Sequence, residues 1–407
     1  MIYVHVPFCR SFCTYCGFYS EVAPKCRKAD DILKQEELLG PYADAVEAEI
    51  RARAEDISRV FTSSGVNTLY VGGGTPSVLP LSFFERLLES LRLVGHPCDF
   101  QEFTVEVNPE DIVEKGSGYV RGLLALGVNR ISMGVQSFDD GILEWMNRRH
   151  SAAQAVEAYR ILEEAGVENI SIDLIFGLPQ ISDELWRETL HKALAISSGG
   201  IPPKHVSAYQ LSVEEGSMLE KLIARGKWSE ASDEVCERQY SMLCEALASA
   251  GYHHYEISNF AQPGHEAVHN SAYWRDSPYV GLGPGAHSFM SYASRQCVPM
   301  ASKLSAENCV RQWNESNLRE YIEAGKTGDF SAVQGSEVLD EGQRVMERIM
   351  LGLRTAVGVP EVYIRQHCDA EALDEAFRCG NLVRYDGYMR IPENRFFVSD
   401  NIISSII

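Results

Sequence analysis

The sequence predicts an α/β protein, with a full or partial (βα) barrel over roughly residues 1–290 and a small α+β unit over 291–407. Three observations predict it. The chain is 407 residues long and 45% hydrophobic, enough to bury a large core and more than one core usually takes. A helical stretch closed by glycine and followed by a β-rich run recurs through the first two-thirds. After about residue 290 that alternation stops.

The first strand is IYVHV at 2–6. Residues 22–40 read as a charged connector ending in Gly40–Pro41, an exposed excursion before the first long helix. The repeated phrase then appears as SSGVNTLYVGGG with Gly65, VGHPCDFQEFTVEV with Gly95, ALGVNRISMGV with Gly127 and EAGVENISIDLIFG with Gly166. It continues as SGGIPPKHVSAYQL with Gly200 and ASAGYHHYEIS with Gly251. Glycine suits the left-handed residue that closes a helix. The helices between have a 3.6-residue period. SFFERLLESL puts Phe84, Leu87, Leu88 and Leu91 on one face, and DELWRETLHKAL does so with Leu185, Trp186, Leu190 and Leu194. About six strands therefore alternate with helices, must pair in parallel and wind right-handedly, which describes a partial (βα)6 barrel of the TIM type. Beyond it, NLREYIEAGK and EGQRVMERIMLGLRTA precede the tail RYDGYMRIPENRFFVSDNIISSII, a pattern resembling a winged-helix lid.

Composition narrows the function. A formal net charge of −20 disfavours nucleic acid as a partner. No apolar run approaches the roughly 20 residues of a membrane span, and the N-terminus lacks a signal-peptide core, so a cytoplasmic location is expected. The 11 cysteines are an odd number and, apart from Cys9, Cys13 and Cys16, are dispersed. A tight thiol cluster in a reducing compartment points to metal or catalysis rather than disulfides.

Polar residues recur at the carboxyl ends of six successive strands, where a barrel gathers its site. Cys9, Cys13 and Cys16 follow the first strand and GGGTP (Gly72 to Pro76) the second. Glu106 and Asn108 end the third, Gln136 ends the fourth, Asp173 lies on the fifth, and Gln210 and Ser212 lie near the end of the sixth. Three close thiolates fit a structural zinc ion only with a distant fourth ligand. They also fit a [4Fe–4S] cluster with one open iron. GGGTP allows close backbone approach to a ligand or is a simple tight turn; a phosphate loop would continue with Gly-Lys-Ser/Thr.

The C-x3-C-x2-C spacing after a first barrel strand resembles the signature of the radical S-adenosylmethionine (SAM) superfamily. The phrases YVHVPFC, VGGGTPS, EVNP, RISMGVQSF, DLIFGLP, YQLS and GLGPGAHS resemble its coproporphyrinogen-oxidase-like branch over about residues 2–290. That resemblance implies a [4Fe–4S] cluster on Cys9, Cys13 and Cys16, and a reductant to charge it. It places SAM against Tyr3, Tyr15, Gly73, Gly74, Thr75 and Glu106. Further SAM contacts would fall on Gln136, Arg148, Asp173, Ser212 and His287, the last two where the local sequence departs from the oxidase pattern.

The oxygen-independent coproporphyrinogen III oxidases carry a further cysteine two positions past the third, where this chain has Gly17–Phe18. HNSAYW, from His269 to Trp274, resembles the HNxxYW motif of the HemW-type heme chaperones. The implied function is heme binding and transfer to acceptor hemoproteins, with His269, Asn270, Tyr273 and Trp274 at the heme. Imidazole is a common axial ligand, and Tyr273 and Trp274 suit a macrocycle face. Arg354 and Glu347 are candidates to reach the propionates or the barrel mouth. The alternative is an enzyme acting on a tetrapyrrole, by oxidative decarboxylation of coproporphyrinogen or by heme methylation or ring opening. No catalytic residue is assigned.

Overall fold

A computed structural model describes residues 1–22, 29–200, 202–293 and 307–407. Six parallel strands form its centre: β1 (Ile2–Val6), β2 (Thr68–Gly73), β3 (Glu102–Val107), β4 (Arg130–Gln136), β5 (Ile170–Phe176) and β6 (His205–Gln210). A hairpin of β7 (His253–Glu256) and β8 (Asn259–Ala261) adds antiparallel to β6, and β9 (Val280–Leu282) pairs in parallel with β1. The order β9–β1–β2–β3–β4–β5–β6–β8–β7 leaves the two edges unpaired with each other. The barrel is partial.

Each strand alternates, and the alternation separates core from site. One face carries Val71, Phe103, Val105, Ile131, Met133, Ile172, Leu174 and Val206, all essentially inaccessible beneath the helices. The concave face carries Tyr70, Glu106, Ser132, Asp173 and Ser207, which line an interior cavity. The helices pack as their period predicts. In Leu81–Leu93 the buried residues include Phe84, Leu87, Leu88 and Leu91; in Asp183–Leu194, Trp186 and Leu190 are buried while Leu185 and Leu194 pack at the margin. All six junction glycines have positive φ, and Gly166 caps its helix at φ 95°.

Two expectations change. Of the connector expected over 22–40, residues 23–28 lie outside the described residues, and from Ala29 the chain is already helical. This helix, α1 (Ala29–Ala52), runs through Pro41 rather than starting after it. Proline costs an interior helical hydrogen bond; the buried Tyr42, Ala45, Val46 and Glu49 immediately beyond show tertiary packing overriding that cost. The run YHHYEIS is β7, yet it turns back at Ile257–Ser258 and pairs antiparallel, so it closes the sheet edge instead of extending the βα series.

Past β9, a three-stranded antiparallel sheet contains β10 (His287–Ala293), β11 (Glu307–Asn314) and β12 (Gln334–Leu339). Then come α2 (Leu318–Thr327, between β11 and β12), α3 (Glu341–Leu353), two short helices, a small sheet with the Val383–Tyr385 and Tyr388–Arg390 hairpin, and a last helix, Ser399–Ile406. α2 lies on α1, where a Cβ at Gly325 would come 2.6 Å from the Cα of Ala45. Buried Glu49 binds this region to the barrel: it accepts from Tyr321 (2.6 Å), Asn314 (2.8 Å) and the Gly283 amide (2.9 Å).

Candidate functional site

The interior cavity, of ≈ 570 Å³, opens at the carboxyl ends of β1–β6. Its rim is the loop after β1, which brings Cys9, Cys13 and Cys16 to one mouth as free, partly accessible thiols. The loop is pinned on three sides. The Thr14 amide and hydroxyl donate to the Met146 and Trp145 carbonyls (3.0 and 2.8 Å), the Asn147 amide donates to the Phe12 carbonyl (2.6 Å), and Arg10 bridges Asp111 and Glu114. Burial pushes the Cys16 thiol up to about 11 and raises Cys9, so filling the site with thiolates releases protons.

Opposite the thiols stands Arg148. It donates to Cys13 Sγ (3.6 Å), Asn108 Oδ1 (2.7 Å) and the Gly134 carbonyl (2.8 Å), and its buried Nε has no partner among the described residues. Asn108 in turn donates to Thr75 Oγ1 (3.2 Å), which lies 3.4 Å from Cys9 Sγ. One polar chain thus runs from Cys9 through Thr75, Asn108 and Arg148 to Cys13.

Glu106 accepts from Tyr70 (2.7 Å) and the Gly73 amide (3.1 Å), and burial, opposed by these bonds, raises its pKa to about 7. Asp173 accepts from Ser132 at 3.3 Å, and burial raises its pKa also. Gln136 has φ 64°, rare for a residue with a Cβ, at a bulge in the β4–β5 register. Strain of this kind persists where the surroundings hold it, and here it aims the side chain into the cavity.

Of the residues expected at SAM, Tyr15, Gly73, Gly74, Thr75, Glu106, Gln136, Arg148, Asp173 and Ser212 all line this cavity. Two do not. Tyr3 lies deeper on β1, its hydroxyl 3.1 Å from His5 Nδ1 and its ring against Tyr70. His287 is exposed at the start of β10, stacked on Trp313. Phe18 lines the mouth at 69% exposure, at the position where the oxidases have a cysteine.

The residues fit the cluster and SAM. The three thiols share a mouth, yet among the described residues no three Cys, His, Asp or Glu side chains gather around one ion-sized point. The Arg148 Nε, unpartnered among the described residues, suits an anionic ligand group.

A second cavity, of ≈ 640 Å³, lies in the gap between the sheet edges and is covered by β10, β11 and α3. Tyr209 and Asn270 line both cavities, so the two share a wall. HNSAYW lies on a short helix across this gap (Val268–Trp274), its first amides donating to Glu102 (2.7 and 3.1 Å). The structure divides the motif. Asn270, Tyr273 and Trp274 line the second cavity; His269 points away from it, 1% exposed. His269 Nδ1 is bonded to Thr68 Oγ1 (2.7 Å) and Nε2 to Tyr273 Oη (2.9 Å), so neither nitrogen is free for an iron. Burial pulls its pKa down to about 3, and the ring is neutral.

Sequence reasoning placed Asn108 at a strand end of the site but gave it no cofactor contact, and it missed Tyr70 and Tyr209. The period-two pattern of β6 could have found Tyr209, since His205, Ser207 and Tyr209 share a face and Gln210 does not.

The family model of the radical SAM superfamily matches residues 3–193. The heme chaperone HemW of Synechocystis is 34% identical over 88% of this chain and 78% of that protein. The heme chaperone HemW of Lactococcus lactis is 31% identical over 88% of this chain and 82% of its own. The coproporphyrinogen III oxidase HemN of Escherichia coli, a radical SAM enzyme, superposes with a TM-score of 0.72 at 21% identity, covering 99% of this chain and 89% of that one. That likeness shows the fold. No helix among the described residues is long and apolar enough to cross a membrane.

Proposed function

The chain belongs to the HemW family of radical SAM proteins, and from that premise we propose that it binds heme and hands it to acceptor hemoproteins. The observation that carries the proposal is the aromatic second cavity, walled by Tyr273 and Trp274 and sharing Tyr209 and Asn270 with the thiol-rimmed cavity. Its volume lies in the range of small-molecule sites, and flat aromatic surfaces suit a macrocycle.

Cys9, Cys13 and Cys16 would hold the [4Fe–4S] cluster, and Arg148, Glu106, Gln136 and Asp173 would hold SAM. When bound, the cluster supplies an electron and an open iron to SAM, and a reductant must recharge it. The chain's own residues do the rest. Arg148 sets a positive charge beside Cys13. The strained Gln136 and the Glu106 carboxyl present polar groups to a ligand from neighbouring strands. In the second cavity, His269 braces Tyr273 through Nε2 and so holds the ring that faces heme; we assign it support, not iron ligation.

Anaerobic hemin titration of reconstituted protein, with a parallel assay for protoporphyrinogen from coproporphyrinogen III and SAM, tests the proposal. Stoichiometric hemin binding without turnover is expected. Multiple turnovers to protoporphyrinogen would instead establish the tetrapyrrole enzyme.

A further inference from the structure

The second cavity has a mixed lining, in which Tyr273, Trp274, Tyr279 and Phe289 stand beside the carboxylates of Glu256, Asp276 and Glu347 and two cations, Arg311 and Arg354. Arg311, on β11, reaches Glu347 of α3 at 2.7 Å. Arg354, one residue past the end of α3, reaches Asp400 of the last helix through Nη2 (2.7 Å) and Nε (3.1 Å). Both guanidinium groups are partly accessible, and both residues line the cavity together with Glu347.

Their placement is not arbitrary along the helix. Glu347, Leu351 and Arg354 follow the i, i+4, i+7 spacing of one helix face, and all three face the cavity. At 1.5 Å per residue, the seven steps from Glu347 to Arg354 span about 10 Å. Arg311, paired with Glu347, therefore marks one end of this face and Arg354 the other, with Leu351 between them. Tyr273 and Trp274 stand on the barrel side of the cavity.

We propose that this face is a dicarboxylate clamp for a propionate-bearing macrocycle, in which Arg311 and Arg354 each bind one propionate. The inference rests on the heme reading and adds to it the recognition element, the two carboxylates. Guanidinium–carboxylate pairs are among the strongest and most directional contacts a binding site can use. Each arginine already holds a carboxylate at that geometry, so the chain's own Glu347 and Asp400 stand where the ligand's carboxylates would act. Loading is then an exchange: the propionates displace Glu347 and Asp400, and unloading restores the internal pairs. The pairs sit on segments outside the barrel strands, so the second structural unit supplies the charge recognition and the barrel supplies the aromatic wall.

The test compares three probes on the full-length reconstituted protein: hemin, hemin dimethyl ester and metal-free protoporphyrin IX. The parent is expected to bind hemin at least ten-fold more tightly than the ester, with protoporphyrin IX close to hemin. Arg311→Gln and Arg354→Gln should each lose most of that preference while binding the ester as the parent does, which also shows that they are folded. Asp400→Asn, which frees Arg354, should tighten hemin a few-fold. Equal affinity of the parent for hemin and its ester would overturn the clamp, as would full discrimination in both arginine variants. Absence of binding to all three probes would overturn the heme reading itself, a result distinct from loss of discrimination alone.

Discussion

Replacing His269 with alanine separates a bracing histidine from an iron-ligating one. The imidazole is 1% exposed and joins Thr68 to Tyr273 by bonds of 2.7 and 2.9 Å. Thr68 Oγ1 lies on a residue with no accessible surface, so its hydroxyl would be left without that partner in a dry environment. A buried polar group stripped of its partner costs about 1–3 kcal/mol, and truncating a buried ring adds a cavity cost of similar size. The expected loss is therefore about 2–6 kcal/mol, measurable as a lower urea midpoint. His269→Gln keeps a polar group there and should recover part of it. Hemin titration supplies the second readout. A brace predicts weaker binding with an unshifted Soret band in the complex that remains; an axial ligand predicts a shifted band and a changed spin state. A shifted band with stability altered by less than about 1 kcal/mol would refute the bracing role.

Further outcomes follow from other residues. Gln136→Gly removes a Cβ at φ 64°, and should raise stability by about 1 kcal/mol while weakening SAM binding in equilibrium dialysis. Arg148→Ala leaves the Asn108 amide oxygen and the Gly134 carbonyl without their donor; reconstituted protein should hold less iron and acid-labile sulfide than the parent. Burial raises Glu256 from 4.5 to about 7. The folded chain keeps this proton while the unfolded chain releases it near 4.5, so the stability tied to it is lost as pH rises from 4.5 to 7. At about 1.4 kcal/mol per unit the loss is of order 3 kcal/mol. Urea midpoints at pH 5 and 7.5 should therefore differ less in Glu256→Gln than in the parent. Gly325→Val puts a Cβ 2.6 Å from the Ala45 Cα and should destabilise the chain by about 1–3 kcal/mol on thermal unfolding.

Much of the barrel was legible because its signals are local. Gly65, Gly95, Gly127 and Gly166 mark junctions by the one conformation that favours glycine, and helix periods follow from which face is buried. The thiol loop and the strand-end polar residues were equally legible, since parallel strands bring their carboxyl ends together. What escaped depends on contacts between distant segments. α1 passes through Pro41 because burial of Tyr42 to Glu49 outweighs one lost hydrogen bond, and nothing within 22–40 signals that burial. His269 reads as an available imidazole until Thr68, 201 positions away, and Tyr273 occupy its nitrogens. His287 illustrates the same point, since motif spacing gives proximity along the chain and not which way a side chain faces, whereas Tyr3 shares the face of Tyr70 and lies deeper.

The most direct test of the account loads the reconstituted protein with one equivalent of hemin and mixes it with an apo-hemoprotein, following the Soret band as heme moves. The account predicts near-complete transfer from the parent, with weaker loading by Trp274→Ala and by Arg354→Gln. Heme that stays on the chain, or that reaches the acceptor no faster than free hemin does, would contradict it.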